Sequence, residues 1–129
     1  MAAFPETVND LLEAHGAAVL TTIGADALPQ STAVWFLFDD GVVKVSLNTA
    51  RQKVKNLQRN PAASLFFIDP ANQYHTLEIR SRVQLLPDGD YEFADKIGAK
   101  YGASLRDMDK GQPGVRMVAI FEPTTFNAR

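Results

Sequence analysis

The stretch VVKVSLNTARQKVKNLQRNPAASLFFI, residues 42–68, passes from a β-rich segment to a helical one and back. VVKVSL (42–47) has the β-branched content of a strand, and AASLFFI (62–68) reads as another. Between them the pattern predicts a helix over 49–59 with Thr49 as N-cap, ended by Asn60-Pro61 because the residue before a proline avoids the helical region. Ala50, Val54 and Leu57 recur at i, i+4, i+7 and form an apolar stripe. Arg51 and Lys53 flank that stripe on opposite sides, and Lys55 and Arg59 form a third, outward face. A short helix that packs by one stripe, bracketed by strands, needs a sheet to lie on.

Both flanks supply it. Upstream, AAVLTTIG (17–24), a turn at 25–27, LPQSTAVWFLF (28–38) and a turn at Asp39-Asp40-Gly41 read as a run of hairpins. Downstream, the loop 69–73 precedes YHTLEIRSRVQLL (74–86), which places Leu77, Ile79, Val83 and Leu85 on one face and Glu78, Arg80, Arg82 and Gln84 on the other. A helix over 88–101, an irregular segment 102–114 and a strand 115–128 complete the chain. A short helix, within 5–16, carries Val8, Leu11, Leu12 and His15 and stops at Gly16. The order α-β-β-β-α-β-β-α-β predicts a mainly β domain with flanking helices. Its six antiparallel strands close into a small barrel spanning 1–129. Strand 28–38 is apolar on both faces, so one face needs a cover beyond the barrel. The expectation is a homodimer, with one of the chain's own helices as the other possible cover.

Composition bounds the function. The 129 residues are 46% hydrophobic and 22% charged, with no cysteine, which leaves out disulfides and thiolate metal sites; no metal site is expected. No basic, apolar leader and no apolar run of about 18 residues occurs, so a cytoplasmic protein without a membrane span is expected. The net charge of −2 argues against a nucleic-acid surface. Yet no acid lies between Asp40 and Asp69, where Lys44, Arg51, Lys53, Lys55 and Arg59 all fall.

Two helices show how unusual this is. Helix 88–101 follows the backbone dipole, with Asp88, Asp90 and Glu92 at its start and Lys96 and Lys100 towards its end. Helix 49–59 opposes it, with Arg51 and Lys53 in its first turn. Free N–H groups, a hydroxyl and two cations at a helix start make a phosphate site, with Ser46 and Asn48 adjacent. Solvated cations, or cations paired with acids from elsewhere in the fold, are the alternative.

The segments PQSTAVWFLFD, VVKVSLNTARQKVKNLQRNPAASLFF and DPANQYHTLEIRSRVQL together resemble the flavin/deazaflavin oxidoreductase superfamily, the FMN-binding-like split β-barrels related to pyridoxamine 5′-phosphate oxidase. Within it the chain is most similar to the actinobacterial enzymes that use the deazaflavin coenzyme F-420. The most specific element is the R-x-K of Arg51 and Lys53, ahead of Asn60-Pro61. The resemblance implies a homodimer with cofactor sites at the interface and a reductase that passes hydride to a small electron-poor acceptor. Arg51 and Lys53 would hold the cofactor phosphate near Ser46, Thr49 and Ala50. Ser31, Thr32, Ala33 and Val34 would lie along the ring, and Tyr74 and Thr76 would approach the ring or substrate, from either protomer. Lys55, Arg59, Arg80 and Arg82 could line a groove for the deazaflavin's acidic tail, or be ordinary surface cations. Trp35, Phe36 and Tyr74 could wall the pocket, with core packing the other reading for Trp35 and Phe36. His75 is a possible proton donor, and His15 reads as structural. No catalytic side chain stands out. Only Arg116 is basic in the last strand, which argues against oxidation of a pyridoxine phosphate. FMN in place of the deazaflavin is one alternative, and a non-catalytic protein binding flavin, deazaflavin or a haem-like ring is another.

Overall fold

The computed structural model describes residues 4–129. A 3-10 turn at Glu6–Val8 leads into α1 (Asn9–Leu12). Strands β1 (Ala18–Ile23), β2 (Pro29–Val34), β3 (Leu37–Asp39) and β4 (Val42–Asn48) follow. Then come α2 (Gln52–Arg59), β5 (Ala62–Asp69), β6 (Asn72–Pro87), α3 (Glu92–Tyr101), α4 (Leu105–Met108) and β7 (Arg116–Ala128). The seven strands make one sheet, β2-β1-β5-β6-β7-β4-β3, antiparallel at every pairing. The long β6 alternates as its sequence demands: Leu77, Ile79 and Val83 are buried while Arg80, Arg82 and Gln84 are exposed. No helix among the described residues is long and apolar enough to cross a membrane.

There are seven strands rather than the expected six, because 28–38 is two. β2 and β3 sit at opposite edges of the sheet, joined only through Trp35 and Phe36. At this crossover the backbone leaves the ladder and its polar groups are met by α3. The Phe36 N–H donates to the Tyr101 hydroxyl (3.2 Å), and the Phe36 carbonyl accepts from Lys100 Nζ (2.8 Å). A buried carbonyl or N–H left without a partner is costly, so these contacts are what permit the break. Because one continuous segment holds both edges, the sheet must curl. It wraps a core that includes Leu20, Val34, Phe36, Val45, Leu65, Leu77, Ile79 and Phe121.

The second face of 28–38 is covered at Trp35 and Leu37 by the chain's own helices. Trp35 and Leu37 pack on Phe93, Ala94, Ile97 and Leu105 of α3 and α4, and Trp35 stacks on Tyr101 with ring centroids 4.7 Å apart. Trp35 and Leu37 therefore need no partner as cover, while Ala33 on the same face stays exposed. The α3 helix begins at Glu92, later than the expected 88, since Asp88 stays outside it and caps it. Its buried carboxylate accepts from the N–H groups of Phe93 (3.1 Å) and Ala94 (2.9 Å). Segment 102–114, expected to be irregular, contains α4, capped by Ser104 Oγ accepting from Asp107 N–H at 3.2 Å. The spacing of Ser104 and Asp107 is that of a capping box and could have revealed it.

Candidate functional site

The crossover leaves a seam in the curled sheet, and the residues around it form a cleft of about 160 Å³. The end of β2 contributes Ala33 and Val34, with Trp35 beyond it, and the end of β4 contributes Ser46, Leu47 and Asn48. Arg51 and Lys53 of the α2 start, Met108 of α4 and Arg116 of β7 line it too. The cleft runs on into a chamber of about 510 Å³ that shares Asn48, Arg51, Met108 and Arg116 and adds Ala50, Asp109, Gln112 and Pro113.

The helix start differs from expectation. Arg51, with extended backbone (φ −83°, ψ 146°), is the N-cap, and Thr49 does not cap. Asn48 dictates this: its side-chain oxygen accepts from the Ala50 N–H (2.8 Å) and its carbonyl from the Arg51 N–H (3.0 Å), so the chain turns once before the helix begins. The Thr49 hydroxyl is occupied by the N–H of Val115 at 3.0 Å. The backbone donors of Thr49, Ala50 and Arg51 are thus all used, whereas among the described residues the N–H groups of Gln52 and Lys53 have no acceptor.

Neither Arg51 nor Lys53 has a carboxylate within ion-pair distance among the described residues. The carboxylate bordering the chamber, Asp109, is committed elsewhere. It accepts two bonds from Arg116, both 2.7 Å, and one from the Tyr91 hydroxyl, also 2.7 Å. These donors, led by Arg116, hold the Asp109 carboxyl below its usual range, so it stays ionised and saturated. Burial, and then the adjacent Arg51, push the Lys53 ammonium below its ordinary value. Two cations repelling one another in a partly desolvated cleft, beside free N–H groups at a helix start, make a site that an anion would relieve. Thr32, by contrast, lines neither the cleft nor the chamber; its hydroxyl is buried with no partner among the described residues.

The predicted residues divide. Ala33, Val34, Ser46, Arg51 and Lys53 line the cleft together, and Ala50 joins the chamber. Ser31 does not face it; its hydroxyl bonds Thr21 Oγ1 at 2.8 Å on the outer face of β2. Tyr74, 79% exposed, and Thr76 lie at the start of β6, where Thr76 pairs with Arg129. They are not part of this chain's cleft. Trp35 lines the cleft, while Phe36 is a core residue set edge-on against Phe67. His75 is committed away from the cleft, to Asp10 (2.9 Å) and the backbone oxygen of Arg129 (2.7 Å). His15 lies past the end of α1 and is exposed. Arg59 bonds two neutral oxygens, Asn56 Oδ1 (3.3 Å) and the Ile23 carbonyl (3.4 Å), and lines neither the cleft nor the chamber. Arg80 pairs with Glu78 at 3.4 Å, and with Arg82 it borders a separate groove across β1, β5 and β6. Asp109 and Met108 escaped the sequence reading, and Arg116 entered it only as the basic residue of the last strand, because nothing local ties the three to the R-x-K.

Solved structures share this architecture. One described as an F420 reductase is 33% identical, with 98% of this chain and 100% of that chain covered and a TM-score of 0.84. A conserved hypothetical protein from Mycobacterium tuberculosis is 19% identical (96% and 83% covered, TM-score 0.76). The heme storage protein HutZ from Vibrio cholerae is 16% identical (98% and 95% covered, TM-score 0.70). The last two share the fold alone. No curated protein matches the chain. The family model for pyridoxamine 5′-phosphate oxidase matches residues 4–127, nearly the full curled sheet and its helices, and the chain belongs to that family of split-barrel proteins.

Proposed function

We propose that the chain is a homodimeric oxidoreductase that binds reduced coenzyme F-420 and serves hydride transfer to a small, electron-poor organic acceptor. The observation that carries this is the pair Arg51 and Lys53 at the start of α2, neither in an ion pair among the described residues, opening onto Ala33, Val34 and Trp35. The 33% identity to a structure described as an F420 reductase, over almost the whole of both chains, supports the deazaflavin in particular. When bound, the deazaflavin supplies the hydride chemistry. The residues of this chain bind and orient it. Arg51, Lys53 and the N–H groups of Gln52 and Lys53 hold the phosphate. Ser46 offers a neutral hydrogen bond, and the β2 residues Ala33 and Val34 with Trp35 set the wall for the ring. The part of the cleft along β2 is only about 160 Å³ and the larger chamber beside it adds no residue of β2, so a tricyclic ring lying along β2 calls for a second wall. A second copy of the chain supplies it, with Tyr74 and Thr76 as the side chains we assign to that wall.

FMN carries the same phosphate and is the second reading. Titration with F-420 and FMN separates them, followed by turnover of reduced F-420 with a panel of activated alkenes and quinones. Lys53→Ala should weaken cofactor binding by roughly 1.5–3 kcal/mol, as expected for one charge-assisted contact. An affinity unchanged in both Arg51→Ala and Lys53→Ala would remove the phosphate assignment. Tight binding with no turnover on any acceptor would point to a carrier of flavin-like or haem-like rings.

A further inference from the structure

The start of α2 is shaped from outside itself. The loop 109–115 docks on the Asn48–Arg51 turn through a reciprocal pair: Thr49 N–H donates to the Val115 carbonyl (2.9 Å), and Val115 N–H donates to Thr49 Oγ1 (3.0 Å). Beside that pair Gly114 adopts φ +87°, a conformation that side chains rarely tolerate. Space is lacking too: a Cβ at 114 would overlap Asn48 Oδ1 and stand 2.8 Å from the Ala50 nitrogen. Asn48 Oδ1 is the atom that holds the Ala50 N–H and thereby forms the turn. The loop is closed at its base by the double Asp109–Arg116 contact, and Arg116 reaches on to Ser46 at 3.5 Å. Yet residues 111–115 are exposed, and none belongs to either core cluster. Burial of apolar surface does not account for so close a fit.

We propose that Gly114 and Thr49 are positioning residues for the anion site. By clamping the Asn48–Ala50 turn they fix the extended backbone of Arg51, and with it the direction of the Gln52 and Lys53 N–H groups. This rests on the phosphate reading of Arg51 and Lys53. A misplacement of about an ångström can cost a hundredfold in rate, and contacts to a phosphate depend on the same precision, so the clamp is read out in affinity alongside melting temperature.

The test compares the phosphate-free deazaflavin riboside, which keeps the ring and ribityl chain, with its 5′-phosphate and with coenzyme F-420, so that loss of the phosphate is separated from loss of the acidic tail, on wild type, Arg51→Ala, Gly114→Ala, Thr49→Val and Thr49→Ser, with melting temperatures alongside. Wild type should prefer the 5′-phosphate to the riboside, and Arg51→Ala should lose most of that preference. Gly114→Ala should weaken the 5′-phosphate and F-420 by about tenfold or more while leaving the riboside within about twofold. Thr49→Val should show a smaller loss of the same kind, and Thr49→Ser, which keeps the hydroxyl, should restore it. Should Gly114→Ala fail to fold, the Thr49 pair decides. Equal losses for the riboside and its 5′-phosphate, or none for either, in the Gly114 or Thr49 variants overturn the proposal while Arg51→Ala keeps the phosphate reading intact. If neither wild type nor Arg51→Ala distinguishes the riboside from its 5′-phosphate, the phosphate reading fails and this proposal fails with it.

Discussion

Lys53 concentrates the chemistry of the site in one side chain. Its ammonium titrates below the ordinary lysine value, first because burial penalises the charge and second because Arg51 repels it. Below that lowered value it is charged and attracts a phosphate; above it the attraction falls to Arg51 and the N–H groups. A bound anion stabilises the charged form, so binding must take up a proton as the pH approaches the lowered value. Cofactor affinity should therefore be flat well below the free protein's Lys53 value and weaken as the pH rises through it. Calorimetry in two buffers of different ionisation enthalpy should show proton uptake in that range, and Lys53→Met should abolish both effects. A pH slope that survives Lys53→Met would assign it elsewhere. The pair was legible in the sequence as cations at the wrong end of a helix. Its lack of partners was not, because that depends on Asp109, over fifty residues away, being taken by Arg116 and Tyr91.

At the scale of elements, α2 is held by more than its stripe. Val54 and Leu57 are buried as the periodicity requires, but Ala50 is exposed and lies before the helix. The third inward residue is Asn56, 1% exposed, donating to Thr22 Oγ1 and Gln30 Oε1 at 3.1 Å each and accepting from Gln52 at 2.9 Å. A polar residue is placed outside by any hydrophobic pattern, so only the facing strands disclose it. Asn56→Ala removes the donor to the fully buried Thr22 hydroxyl, leaving it only the long bond to Gln30 Oε1 (3.5 Å), and urea unfolding should show a loss of about 1–3 kcal/mol. A second tie joins α1 to the end of the sheet. His75 bonds Asp10 by one ring nitrogen and the Arg129 backbone oxygen by the other. The Asp10 contact first, then the Arg129 oxygen, raise the His75 value, and His75 lowers that of Asp10. The sign follows: the tie is at full strength at pH 6.5 and below, down to the acidic range where Asp10 protonates. It is lost as pH rises through the raised His75 value. Stability measured across pH 5–9 should fall along that limb in wild type and flatten in His75→Ala and Asp10→Asn. A fall of equal size in both variants would exclude the tie as its cause.

For the whole molecule, the sequence showed an antiparallel, mainly β fold and most strand positions, because alternation along β6 and the hairpin turns are local signals. It missed the crossover at Trp35-Phe36, where a run of apolar residues continues unbroken while the backbone changes edge; only Lys100 and Tyr101, some 65 residues on, make that break tolerable. The same misreading assigned the strand's second face to a partner, whereas α3 and α4 cover it at Trp35 and Leu37. The case for a dimer therefore rests on Ala33, the exposed part of that face, and on the strands beside it. Val19 in β1 is in register with Ala33 of β2 and Phe66 of β5 on the side away from the core. Val19 and Phe66 are each 38% exposed, and Ile68 beyond them is 47% exposed. A contiguous apolar row across three strands is what a self-associating sheet face presents. Sedimentation should give twice the 14.2 kDa chain mass. Phe66→Lys, which sets a cation against its own symmetry copy or near it, should dissociate the dimer while leaving the fold and the Arg51–Lys53 site in place. If the ring needs a wall from the second copy, that variant should lose affinity for F-420 and for its phosphate-free riboside alike, the opposite of the selective loss expected at Gly114. A monomeric Phe66→Lys variant with undiminished affinity for both would show that one chain forms the whole site.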